Sequence, residues 1–163
     1  MPAMNPMDAE TSLLPEICGR ADLVKLVDAF YVNVRADVVL GSIFDEVAKV
    51  HWESHLPKLY DFWDTVLFRA GTFRGNPIAA HAKLIPMIGM DWPLFERWLE
   101  IFRSTVNALF AGERAEHIIR CAEDMANVIH SRIHGLKDRR FDPESLTPEQ
   151  KERYASYRQR EAL

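Results

Sequence analysis

Apolar residues recur every three or four positions over four stretches of the chain. Leu23, Leu26, Val27, Phe30, Tyr31 and Val34 follow Asp22, which reads as an N-cap, and form one face of a helix. Trp52, His55, Leu59, Phe62, Trp63, Val66 and Leu67 make a broad stripe over 52–69. Phe95, Trp98, Leu99, Phe102, Val106 and Leu109 line up behind Asp91 as cap, with Pro93 in the first turn and Gly112 as the stop. Ala115, Ile118, Ile119, Ala122, Met125, Ala126, Ile129 and Ile133 predict a helix over 113–134 that ends at Gly135. Between the first two stripes, Val38 to Phe44 turns a corner with Phe44 inward. Between the next two, Gly71-Thr-Phe-Arg-Gly-Asn-Pro77 breaks the chain and starts a short helix carrying His81. No stretch alternates with a period of two and no repeat is present, so the fold class is all-α.

The flanks differ from this body. Residues 1–18 show no sustained period and read as a loose arm ahead of a helical domain over 19–135. Residues 136–163 are charged; Thr147-Pro-Glu-Gln150 is a capping box that predicts a short exposed helix within that tail. At 163 residues and 48% hydrophobic content, one domain can bury a real core. A net charge of -4 and the mixed signs of the tail, with few aromatics, argue against a nucleic-acid partner. No apolar run is long enough for a membrane span, and no basic region precedes an apolar leader. Cys18 and Cys121 form no C-x-x-C pair and suit a reducing compartment, so the expected location is cytoplasmic.

Several chemistries fail on spacing. His51/His55 and His130/His134 have the i, i+4 spacing that can hold zinc from one helix face. In His51-Trp-Glu-Ser-His55, however, glutamate falls one place too late for a metalloprotease base. No glutamate has a histidine three residues later, which removes the di-iron bundle. Phosphate loops, nucleophile elbows and covalent haem attachment motifs are absent. His117, His130 and His134 are assigned to the surface or a helix end.

His81 stands among Ala79, Ala80 and Ala82, where low side chains leave room for a flat group. A lone histidine beside an apolar stripe is a weak signal, more often a hydrogen-bonded core or surface residue than a ligand. Tyr31, His55 and Trp98 are each the polar member of an apolar face. Taken singly, Tyr31 and Trp98 read as large core residues whose polar tips find backbone partners.

Together these segments resemble the truncated haemoglobins, and among them group III, over about residues 22 to 134. The resemblance is carried by Phe30-Tyr31-Val-Asn-Val-Arg35-Ala-Asp37, Leu40-Gly-Ser-Ile-Phe44, Trp52-Glu-Ser-His55-Leu, Asp61-Phe62-Trp63, Gly71-Thr-Phe-Arg-Gly75-Asn-Pro77 with His81, and Phe95-Glu-Arg-Trp98-Leu-Glu-Ile-Phe102. Groups I and II usually carry Gly-Gly pairs, and this chain has none. Ser42 and Phe73 depart from the family's common proline and tyrosine, and neither is expected to touch the candidate ligand.

The resemblance implies a two-over-two helical sandwich holding haem b. His81 would be the proximal iron ligand, Phe44 would pack on the porphyrin, and Tyr31, His55 and Trp98 would form the distal side. Phe62, Trp63, Leu84, Phe95 and Phe102 would be walls, and Arg74 or Lys83 would meet a propionate. Small diatomic ligands, dioxygen, nitric oxide or carbon monoxide, would bind opposite His81. Two strong distal donors suit redox chemistry on oxygen, peroxide or nitric oxide, with a peroxidase-like or nitric oxide dioxygenase activity and a reductase partner, better than transport. The alternative is a gas sensor or an oxygen-binding protein without turnover. The His81 turn offers no carboxylate to strengthen the imidazole. The arm and tail lie outside the resemblance.

Overall fold

A computed structural model describes residues 13–135 and 147–161; among these, all regular structure is helical. In chain order the elements are α1 (Arg20–Ala36), α2 (Val38–Ser42), a π-helical turn (Ile43–Val47), α3 (Trp52–Phe68), α4 (Pro77–Ala82), α5 (Ile85–Ile88), α6 (Trp92–Leu109), α7 (Glu113–His134) and α8 (Pro148–Glu161).

Helix α1 packs against both α3 and α6, α6 packs against α7, and α3 and α4 also meet α7. The result is the two-over-two arrangement, with α1 and α3 over α6 and α7. The expected apolar faces are its core: Leu23, Leu26, Phe30 and Val34 of α1 are fully buried, as are Val106 and Ile118. Each such side chain contributes roughly 1.5–3 kcal/mol by leaving water.

The helix ends differ in detail from the sequence reading. α1 starts at Arg20, so Asp22 lies in its first turn, and its carboxylate accepts from Cys18 N at 2.8 Å. Gly112 does not stop α6, which ends at Leu109. It precedes α7, with φ 114°, and the Glu16 carboxylate sits where a β-carbon would be. That carboxylate accepts from the backbone N–H of Arg114 and Ala115, satisfying first-turn donors of α7. Ile17 beside it is fully buried, so the end of the expected loose arm is packed on the domain. Residues 1–12 of that arm, and 136–146 of the tail, lie outside the described residues. Thr147 and Gln150 exchange the two hydrogen bonds of a capping box at the start of α8.

Asp37 closes α1 and opens α2. Its carboxylate accepts from Val39 N and Leu40 N and pairs with Arg97 Nε at 2.8 Å, tying the corner to α6. The Arg97 hydrogen bond holds the carboxyl below the usual aspartate range; burial opposes this and the two backbone N–H groups add to it. Gly41, one turn on, lies so close to the Arg35 carbonyl that no β-carbon fits. Among the described residues no helix is long and apolar enough to cross a membrane.

Candidate functional site

A cavity of about 520 Å³, mostly apolar, opens between α1, α3, α4, α6 and α7. That volume is in the range of small-molecule and cofactor sites. Tyr31, Phe44, His55, Phe62, Trp63, His81, Leu84, Phe95 and Trp98 all line it, so one space collects nine of the ten side chains expected at the site.

Local sequence explains how His81 reaches the wall. Asn76 Oδ1 accepts from Ala79 N at 3.1 Å, and Pro77 takes the first helical position of α4. One turn later, His81 Nδ1 donates to the Pro77 carbonyl oxygen at 2.6 Å. That bond puts the proton on Nδ1 and leaves the Nε2 lone pair for a ligand. Nε2 has no protein partner among the described residues. The acceptor is a carbonyl rather than a carboxylate, so the imidazole gains no added basicity from an anionic partner. Among the described residues no three His, Cys, Asp or Glu side chains gather as a metal cluster. One anchored imidazole in an apolar slot fits an axial ligand of a flat, metal-bearing group such as haem.

The polar side chains come from three helices. Tyr31 on α1 is 5% exposed, and its ring lies 5.8 Å from Phe44 and 6.2 Å from His55. The Phe30 ring stands edge-on to both Tyr31, at 4.8 Å, and Trp98, at 5.2 Å. Burial raises the Tyr31 phenol far above its usual value and the neighbouring Trp98 indole pulls it back in part, so Tyr31 stays a neutral O–H donor at any physiological pH. His55 is half-buried. Burial first, then the positive charge of Lys58 and the nearby His81, hold it below the usual histidine value, which keeps its ring neutral near pH 7.

Phe102 is the exception among the expected walls. It is buried behind the cavity, stacked between Trp63 at 5.0 Å and Trp98 at 5.4 Å, so it supports two wall residues without lining the space. Phe73, not among the expected walls, joins them. It lines the cavity and stands edge-on to Phe62 at 5.1 Å, and a β-carbon on Gly75 would lie 2.6 Å from its Cζ. The Gly75 that breaks the helical pattern is the signal for that close approach.

Lys58 and Leu59 also face the cavity, and their spacing from His55 on α3 made them legible. Met90 gave no such signal. It lines the cavity from a left-handed backbone conformation, φ 52°, with its carbonyl 2.8 Å from His134 Nε2. His134 therefore matches its assignment to a helix end, whereas His130 leans inward, edge-on to Trp92 and Phe95, each at 5.5 Å. Arg74 and Lys83 are at the cavity; Arg74 Nη1 donates to the Gly71 carbonyl at 3.0 Å.

An all-helical sandwich whose apolar cavity is served by one anchored imidazole and by a Tyr–His–Trp set has the architecture of a globin. The group 3 truncated hemoglobin ctb of Campylobacter jejuni is 30% identical over 115 residues, which cover 69% of this chain and 88% of the relative. The crystal structure of a group III truncated hemoglobin from the same species superposes with a TM-score of 0.66 at 27% identity, over 74% of this chain and 95% of that one. No family model matches. The chain belongs to the group III truncated haemoglobins, a branch of the haem-binding globins.

Proposed function

We propose that this chain binds haem b through His81 Nε2 and that small diatomic ligands enter the space beside Tyr31, His55 and Trp98 for redox chemistry rather than transport. The single observation that carries the reading is the shared cavity of about 520 Å³, walled by both the anchored His81 and the buried Tyr31. When bound, haem would be held by His81 and would supply the ligand-binding and redox chemistry of its iron.

The chain's own residues do the rest. The Pro77 carbonyl fixes the His81 tautomer, and Phe44, Leu84 and Phe95 exclude water from the faces of the slot. Tyr31 would donate a hydrogen bond from its hydroxyl to a ligand carrying negative charge, with the Trp98 indole beside it on the same wall. His55, neutral near pH 7, takes or returns a proton at its ring nitrogen, the role asked of a peroxidase-like or nitric oxide dioxygenase site. Arg74, Lys58 and Lys83 bring positive charge to the cavity, which suits carboxylates on the group's rim. A separate reductase would supply electrons. The proposed setting is a reducing cytoplasm, supported by two free cysteines.

The second reading, a gas sensor or oxygen-binding protein without turnover, draws on α8, where the side chains described over 147–156 are exposed and available to a partner. Peroxide and nitric oxide turnover with a reductant, in the full chain and in a chain ending at Gly135, tests both. Turnover indifferent to truncation supports the redox reading; no turnover by the haem-loaded full chain refutes it.

A further inference from the structure

Outside Tyr31 and His55 lies a cluster with no part in the reading above. Trp52, the first residue of α3, has its ring 5.3 Å from Tyr31 and 5.7 Å from His55, and it stacks on Phe44 at 5.7 Å and 28°. Its other contacts are polar. The Arg35 guanidinium lies over the indole at 4.9 Å, and the indole N–H donates to Asp45 Oδ1 at 3.0 Å. Arg35 and Asp45 face each other at 3.6 Å, with side chains 49% and 41% exposed. A solvent-exposed ion pair therefore clamps one indole, whose remaining ring contacts are with three cavity residues.

Two further observations give the clamp a purpose. The His55 ring has no hydrogen-bond partner among the described residues, so ring packing alone sets its orientation. Phe44 and Asp45 are neighbours in the π-helical turn Ile43–Val47, so a wall residue and the clamp carboxylate move with one piece of backbone. Such turns concentrate at functional sites.

We propose that Trp52, clamped by Arg35 and Asp45, is a positioning residue that keeps His55 beside Tyr31 and so controls ligand entry on that side of the cavity. Arg35, Asp45 and Trp52 do not line the cavity themselves. They act through His55, and the inference rests on the reading that His81 holds haem. Because the clamp is exposed, salt weakens it.

The test uses the full chain loaded with haem, reduced under carbon monoxide, with Trp52→Ala, Trp52→Phe, Arg35→Gln and Asp45→Asn beside the parent. The readouts are the bimolecular rate after flash photolysis and the infrared C–O stretch, which reports the distal field. Trp52→Ala is expected to speed association about fivefold and to add a second C–O band. That factor equals about 1 kcal/mol at about 1.4 kcal/mol per decade. Trp52→Phe, which keeps the stack, restores most of the parental behaviour, and Arg35→Gln and Asp45→Asn fall between. In the haem-free chain, the His55 ring resonances shift in Trp52→Ala and stay near parental in Trp52→Phe. Should Trp52→Ala not fold, the two exposed clamp variants carry the test. Parental rates with one unshifted C–O band in every folded variant overturn this inference alone. A folded parent that takes up no haem overturns it together with the proposed function.

Discussion

Replacing Tyr31 with Phe removes one oxygen atom from a side chain that is 5% exposed and leaves its ring contacts with Phe30, Phe44 and Trp52 in place. The variant should therefore keep the fold and lose one donor. Hydrogen bonds to a charged acceptor are worth roughly 1.5–3 kcal/mol, which is about one to two decades in rate. Dioxygen dissociation from the haem-loaded ferrous protein, followed by stopped flow with carbon monoxide displacement, should speed up by that factor. Trp98→Phe should speed it as well, because it removes the indole N–H from the same cavity wall. The Phe30 ring stands edge-on to both Tyr31 and Trp98, so their losses overlap. The double variant should fall short of the product of the singles by at least about twofold, since coupling between neighbouring residues is typically 0.5–3 kcal/mol. Unchanged dissociation in both single variants would refute the distal-donor argument, and strict multiplicativity would refute the coupling.

Three other outcomes follow from the same geometry. His81→Gly should abolish the Soret band of the haem-loaded protein or shift it, and added imidazole should bring it back; an unaltered spectrum would remove His81 as the axial ligand. Asp37→Ala loses both the cap of α2 and the Arg97 pair, about 1–2 kcal/mol together by urea denaturation at pH 7. Asp37 has a depressed pKa in the folded state, so its contribution is full above the ordinary aspartate value of about 3.9 and disappears as acid titrates the folded carboxylate; an equal gap at pH 7 and pH 3 would contradict this assignment. Gly41→Ala pushes a methyl group into the Arg35 carbonyl, a backbone contact that no rotamer relieves, and should cost about 1–3 kcal/mol in the same assay. A stability equal to the parent's would show that α2 shifts freely.

Local sequence determined most of the fold. The four apolar stripes are the buried faces of α1, α3, α6 and α7, because a 3.6-residue period must put those positions on one side of a helix. Asn76-Pro77 starting α4, Gly135 ending α7 and the Thr147 capping box starting α8 were equally legible, since each is written in a few adjacent residues. His81, Tyr31, His55 and Trp98 stood out as polar members of apolar segments, although only their joint pattern, read as a family resemblance, tied them to one site.

Tertiary structure decided what depends on distant partners. Phe102 supports the cavity wall and Phe73 joins it because an apolar stripe does not say which residue faces a cavity and which one lies behind it. The arm's Ile17 and Glu16 joined the core and the start of α7 through contacts almost 100 residues away, which no local period encodes. The Pro77 bond that aims His81, the packing of Tyr31 and Trp98 around Phe30 and the Arg35–Asp45 clamp on Trp52 likewise depend on where side chains converge. Periodicity sorts residues into faces; only the packing of those faces sets which polar atoms come within hydrogen-bond reach.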